Sequence, residues 1–209
     1  MEAYQGDLFS LLERYQRGER NFVGENWRSS FYANVELANA DLTSANFSFA
    51  NLSNANLIGV KLDKADLSGT DLQGANLIAV SLVGARLIAT RMSHAKMLGA
   101  DLRQANMSSG NLSGATLVYS QLADAKLMGV DASYADLSGA DLTRVDFRNA
   151  NLEHARLISA NLEGVNFARA NLAHADLRGA VNLTPSQVLT AVNWEQALYD
   201  EHFQILLSR

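Results

Sequence analysis

The chain has 209 residues, 48% of them hydrophobic, no cysteine, and a formal net charge of −5. Without cysteine there is no disulfide framework, thiolate metal centre or thiol nucleophile, and so mild a charge does not describe a nucleic-acid groove. No apolar run approaches the roughly 18 residues that a membrane span needs.

Residues 1–19 predict an N-terminal helical cap. Met1 to Ser10 carries Glu2 and Asp7 and lacks a basic stretch followed by an apolar one, so no signal peptide is expected and a cytoplasmic protein is the default. From Asp7 to Gly18 the apolar residues Leu8, Leu11, Leu12 and Tyr15 fall at i, i+3, i+4 and i+7. That spacing predicts an amphipathic helix, with Asp7 as N-cap and Gly18 as its stop.

Residues 20–181 are governed by one period. A large apolar residue stands at every fifth position from Phe22 to Leu177, giving 32 units without insertion or deletion. Leu fills 22 of these 32 centres; two residues earlier stands Ala in 19 units and Val in six, and between them Asn or Asp in 21. Five fits neither the 3.6 of a helix nor an unbroken two-residue alternation. It fits a short extended piece followed by a corner, with the small and central residues facing inward and the Asn or Asp facing out. Ala132 breaks the pattern of centres, and Val130 in the same unit is expected to replace part of the missing volume.

Units such as Ala40-Asp41-Leu42-Thr43-Ser44 and Ala135-Asp136-Leu137-Ser138-Gly139 resemble the A-(D/N)-L-x-x signature of the pentapeptide-repeat family. The resemblance implies an all-β solenoid, a right-handed quadrilateral parallel β-helix in which four units close each coil. Thirty-two units then make eight coils of 20 residues, with short helical caps at both ends. It also implies a runner-up function, since some relatives imitate duplex DNA and bind type II topoisomerases such as gyrase.

Residues 182–209 predict a C-terminal helical cap. The register stops after Gly179, and Thr184-Pro185-Ser186-Gln187 reads as a capping box with the only proline at the first helical position. Trp194, Ala197, Leu198, Phe203, Ile205 and Leu206 are candidates for burial. Trp194, Leu198, Phe203 and Leu206 are expected to close the solenoid or to form a homodimer contact. The stretch from Asn193-Trp194-Glu195 to Tyr199-Asp200 resembles tails of pentapeptide-repeat proteins from photosynthetic bacteria.

With 20 residues per coil, the exterior can be read as columns of residues 20 apart. On the fourth face one column runs Ala38, Ile58, Ile78, Leu98, Val118, Ser138, Ile158, Arg178. Four consecutive aliphatics at an outward position form a candidate partner-binding stripe, Ile58, Ile78, Leu98 and Val118, with Ile158 beyond. A ladder of residues that simply favour flat strands is the other reading. His94, His154 and His174 share a third-face column, with His154 and His174 on adjacent coils; they read as solvated corners, as no carboxylate or cysteine completes a metal set. Asp131, Asp136, Asp141 and Asp146 fall one to a face, so they diverge where catalytic carboxylates must converge.

No catalytic motif, cofactor or metal is expected. Acidic columns are interrupted, with no Asp or Glu between Asp71 and Asp101 and with Arg86, Arg91 and Lys96 between them, which argues against a duplex mimic. The reading is a non-enzymatic interaction module whose partner is another protein, with no direct nucleic-acid binding and no membrane insertion.

Overall fold

The computed structural model describes residues 5–208. Its body is a right-handed, four-sided solenoid of parallel bridges. Every bridge from Asn21↔Asp41 to Asn161↔Val181 joins residues 20 apart, so four pentads close one coil.

One unit shows how. The Leu42 N–H donates to the Lys61 carbonyl at 2.7 Å, and the Lys61 N–H donates back to the Ala40 carbonyl at 3.0 Å. The chain then turns: the Ala45 N–H donates to the Leu42 carbonyl at 3.0 Å, with Ser44 at φ 58. A four-residue turn with positive φ at its third residue has the character of a type II turn, which favours Gly or Asn there. The fifth position of the unit accordingly holds Gly59, Gly99 and Gly139 as well as Asn34, Asn39 and Asn54, all at positive φ.

The Asn or Asp of the unit does more than face water. Asp41 Oδ1 accepts the Thr43 N–H at 3.1 Å and the Thr43 hydroxyl at 2.6 Å. Asn46, Asn51, Asp66, Asp71 and Asn111 accept the N–H two residues on in the same way. A short side-chain acceptor at this spacing makes an Asx turn and fixes the start of each corner.

Centres and small residues fill the axis, and nearly all are below 3% exposed. Each buried Leu contributes on the order of 1.5–3 kcal/mol. Ala132 and Val130 are both 1% exposed, so the smallest centre and one of the larger flanking residues share one layer. Thr70, Thr90 and Ser120 also point inward, and their hydroxyls donate to the carbonyls of Phe47, Leu67 and Leu117 at 2.6–2.8 Å. These bonds remove the cost of burying them.

At the ends the described residues form three α-helices, α1 (Gln5–Gln16), α2 (Pro185–Val188) and α3 (Glu201–Leu207), and a 3-10 turn at Trp194–Gln196. Asp7 stands inside α1, not at its cap, because the helix begins at Gln5. The side chain of Leu8 lies outside the described residues. Leu11 is fully buried, Leu12 and Tyr15 pack on the core, and Gly18 follows at φ +95. Arg14 ties α1 down by bonds to both Glu19 and Glu25. The capping box forms as expected: the Thr184 N–H donates to Gln187 Oε1 at 2.8 Å, and the Gln187 N–H donates to Thr184 Oγ1.

The C-terminal segment departs from expectation in two ways. Pairing does not end at Gly179; it continues through Val181 and, past α2, through Asn171↔Val192 and Asp176↔Leu198. Residues 181–198 thus trace one more circuit, with α2 in place of one side. In addition, Leu198, Ile205 and Leu206 are 47%, 48% and 36% exposed. Leu198 occupies the outward, bridging position of that circuit, so its neighbours Ala197 and Tyr199 are the buried ones. Trp194 and Phe203 are partly buried against the core.

Candidate functional site: the fourth face and its neighbours

The stripe is built by the ladder itself. The N–H groups of Gly59, Ala79, Gly99 and Gly139 donate to the carbonyls of Ile78, Leu98, Val118 and Ile158 at 2.9–3.0 Å. The side chains of Ile58, Ile78, Leu98 and Val118 therefore recur at the strand spacing of about 4.8 Å, a run of roughly 14 Å. Leu98 is 44% exposed; Ile58, Ile78, Val118 and Ile158 are half-buried. Leu98 is the most exposed of the five. The corner beside them carries Gly59, Ala79 and Gly99, leaving that flank low. Tyr119, 70% exposed, ends it as a wall.

Charge is arranged in pairs along the columns. Arg91 meets Asp71 and Arg144 meets Asp124 at 2.6 Å, each across one coil; Arg156 meets Asp136 at 3.4 Å. Within units, Arg103, Arg148 and Arg178 close on Asp101, Asp146 and Asp176 at 2.6–2.7 Å. These arginines hold the carboxyls of Asp101, Asp146 and Asp176 below the usual carboxylate range, chiefly by side-chain hydrogen bonds. Carboxylates neutralised by arginine two or twenty residues away cannot present a row of free negative charge in place of phosphates.

Asp131, Asp136, Asp141 and Asp146 take separate partners: Asn151, Arg156, Thr143 and Arg148. They do not converge. The third-face histidines do stack, with Tyr134, His154 and His174 at successive centroid separations of 4.8 and 4.9 Å and interplanar angles of 15° and 22°. Nitrogen lone pairs lie in the ring planes, so nearly parallel rings aim them side by side. Two bonds of about 2.1 Å each could bridge at most about 4.2 Å between nitrogens. His94 sits apart, leaning over Gly114.

Described residues line three open depressions that bear on the site. One of about 440 Å³ lies beside Asn54, Asp71, Gln73 and His94, where Asp71 is already held by Arg91 and the Gln73 N–H. One of about 490 Å³ lies between Trp194 and α3. The third, of about 690 Å³, lies between α1 and the first coil, and Phe31, 66% exposed, is on its wall. Sequence reading passed over Phe31 and Tyr119. The signal for Phe31 is an aromatic at a position that most units give to Asn or Asp. Among the described residues no cluster of three or more His, Cys, Asp or Glu could hold a metal, and no helix is long and apolar enough to cross a membrane.

A sequence model described as pentapeptide repeats matches residues 36–74, 70–108, 111–144 and 146–181. No protein of curated function matches the sequence. Among solved structures, the chain is similar to HetL, a pentapeptide repeat protein involved in heterocyst differentiation regulation in the cyanobacterium Nostoc. Identity there is 29%, over 90% of this chain and 92% of that one, with a TM-score of 0.36. A thylakoid-lumen protein of Arabidopsis thaliana is 24% identical over 59% of this chain and 72% of its own, with a TM-score of 0.45. QnrB1, a plasmid-mediated fluoroquinolone resistance protein, is 17% identical over 90% and 95%, with a TM-score of 0.44. At these identities and scores the roles of the solved proteins do not transfer to this chain.

Proposed function

Because this chain belongs to the pentapeptide repeat family, we propose that it works as a non-enzymatic, cytoplasmic interaction module whose rigid surface docks another protein. The observation that carries this reading is the fourth-face column, where Ile58, Ile78, Leu98 and Val118 continue without a polar interruption and Leu98 is 44% exposed. Contiguous apolar surface on a soluble body marks contact sites more often than chance does. A filled axis supports the non-enzymatic reading, since catalysis needs a depression that excludes water and brings reacting groups together.

Replacing Ile78 and Leu98 together by Asp tests the stripe. Neither side chain enters the axis, so the solenoid should retain its fold. The double variant is expected to lose proteins that the natural chain captures from its host. Undiminished capture by a folded double variant would remove the stripe from the proposal. The exposed Leu198 and Leu206, beside Trp194 and Phe203, are proposed as a second contact, between two copies of the chain. Sedimentation of Leu198→Asp against the natural chain reads that contact directly.

Gyrase binding by imitation of DNA is the runner-up, and the column pairing weighs against it. Inhibition of supercoiling at micromolar protein would reverse that order.

A further inference from the structure

The two ends of the solenoid are closed unequally. In every later coil, the residue before the centre turns both its N–H and its carbonyl toward the preceding coil. Asn51, for example, donates its N–H to the Ser30 carbonyl at 2.9 Å and accepts the Tyr32 N–H at 2.7 Å. The first coil has no coil before it. At the far end, α2 makes good the missing strand: Gln187 Nε2 donates to the carbonyls of Leu162 and Val165 at 2.8 and 3.1 Å. At the near end, among the described residues, the Tyr15 hydroxyl of α1 donates to the Ala38 carbonyl at 3.0 Å. Among the described residues, nothing takes the N–H or carbonyl of Phe31, the N–H or carbonyl of Glu36, or the carbonyl of Ala33.

These vacant groups face a groove. Its walls are Leu12, Tyr15 and Gln16 of α1 on one side and Phe31, Tyr32 and Val35 on the other, enclosing about 690 Å³. An exposed strand edge is a template for another chain, and natural edges are guarded by charge or proline. The other bridging positions of the first coil are polar, with Asn21, Asn26 and the charged Glu36. Phe31 instead adds an aromatic wall beside an open donor and acceptor.

We propose that this edge binds an extended segment of a partner polypeptide, added as one more strand ahead of the first coil. The vacant groups specify the occupant. Only a backbone offers a carbonyl and an N–H at the separation needed to meet both groups of Phe31, which is how each coil already seats on the next. The side chains of such a strand that point inward enter the groove, so the segment carries a large apolar residue two positions after a small one. Main-chain bonds give such docking its affinity and the groove its selectivity. The site is separate from the fourth-face stripe and stands whether or not the stripe binds.

The test uses the full chain labelled with ¹⁵N and, as probe, a synthetic peptide copying residues 50–59, a segment whose Ala50 carbonyl and Leu52 N–H meet the N–H and carbonyl of Asp71 one coil on, as Phe31 requires. With the peptide in excess, amide exchange at Phe31 and Glu36 should slow about tenfold or more, while Asn21 and Asn26 stay unchanged. Phe31→Pro deletes a donor that no described residue accepts from, and should weaken binding about tenfold. Phe31→Lys, whose side chain other coils accommodate, serves if the proline variant fails to fold, and should weaken binding likewise. No slowing at either amide, or equal binding by a folded variant, would overturn the proposal. Slowing without peptide that grows with protein concentration would also overturn it, assigning the edge to a second copy. The Ile78 and Leu98 double variant should bind the peptide normally, so failure of the stripe and failure of the edge are distinguishable.

Discussion

Tyr119 lies over Gly139, one coil further on: a β-carbon built on Gly139 would fall 2.5 Å from Tyr119 Cε1. The same relation joins Phe49 to Gly69 and His94 to Gly114. A large side chain at the left-handed corner leans toward the next coil, and glycine there makes room for it.

Gly139→Ala should therefore cost more than the backbone alone demands. Gly99 is the control, since it has nearly the same φ, +63 against +66, and nothing within 4 Å of the added carbon. Placing Ala at positive φ costs about 1 kcal/mol at either site, and displacing the Tyr119 ring adds roughly 1 more at Gly139. Adding Tyr119→Ala should erase that excess. Urea midpoints of the four proteins measure it, and equal losses for the two alanine variants would refute the ring contact.

The layer containing Ala132 gives a second expectation. Ala132→Leu alone overfills it and should destabilise by about 1–3 kcal/mol. Val130→Ala alone leaves a void and should cost about 2 kcal/mol. Combined, the two restore the pattern of most other units, so the double variant should recover at least about 1 kcal/mol relative to the sum. Strictly additive losses in thermal unfolding would show that the two side chains do not share a volume.

Acid stability follows from the paired carboxylates. Asp101, Asp146 and Asp176 have lowered folded pKa values, so between the folded and unfolded values the unfolded chain binds more protons. Their contribution is complete above the unfolded value of about 4 and is lost as pH falls through the lower folded values. The urea midpoint should hold from neutrality to about pH 5 and decline below about pH 4. Arg178→Gln should lower the midpoint at neutrality and make that decline shallower, because Asp176 then titrates closer to its unfolded value. A midpoint that rises on acidification from pH 6 to 4 would contradict the assignment.

Much of this was legible in the residues, and the reason is the strictness of the period. Phe22 to Leu177 without a slip fixes which side chains enter the axis, and four units to a coil then place Ile58, Ile78, Leu98 and Val118 in one column and His154 beside His174. What period alone did not disclose is local hydrogen bonding. Asp41 and its counterparts look like solvent-facing residues until the N–H two positions on is seen to end on them. The final circuit escaped for a different reason. A four-residue helix replaces one side, so Val192 and Leu198 pair across 21 and 22 residues, spacings that a search for fives passes over. Leu198 then looks like core from its hydrophobicity, whereas its bridging position turns it outward. Phe31 is the converse, an aromatic that the rule for its position already placed outside.

The twenty-residue coil underlies every column described, and one distance tests it. The chain has no cysteine, so Asn39→Cys and Ser159→Cys can carry spin labels at exposed corners of the fourth face without interference. Pulsed electron spin resonance should give a separation centred at about 29 Å, six coils at about 4.8 Å each. A distribution centred well away from that value would mean that residues 20 apart are not stacked, and the stripe, the charge pairing and the open edge would fall with it.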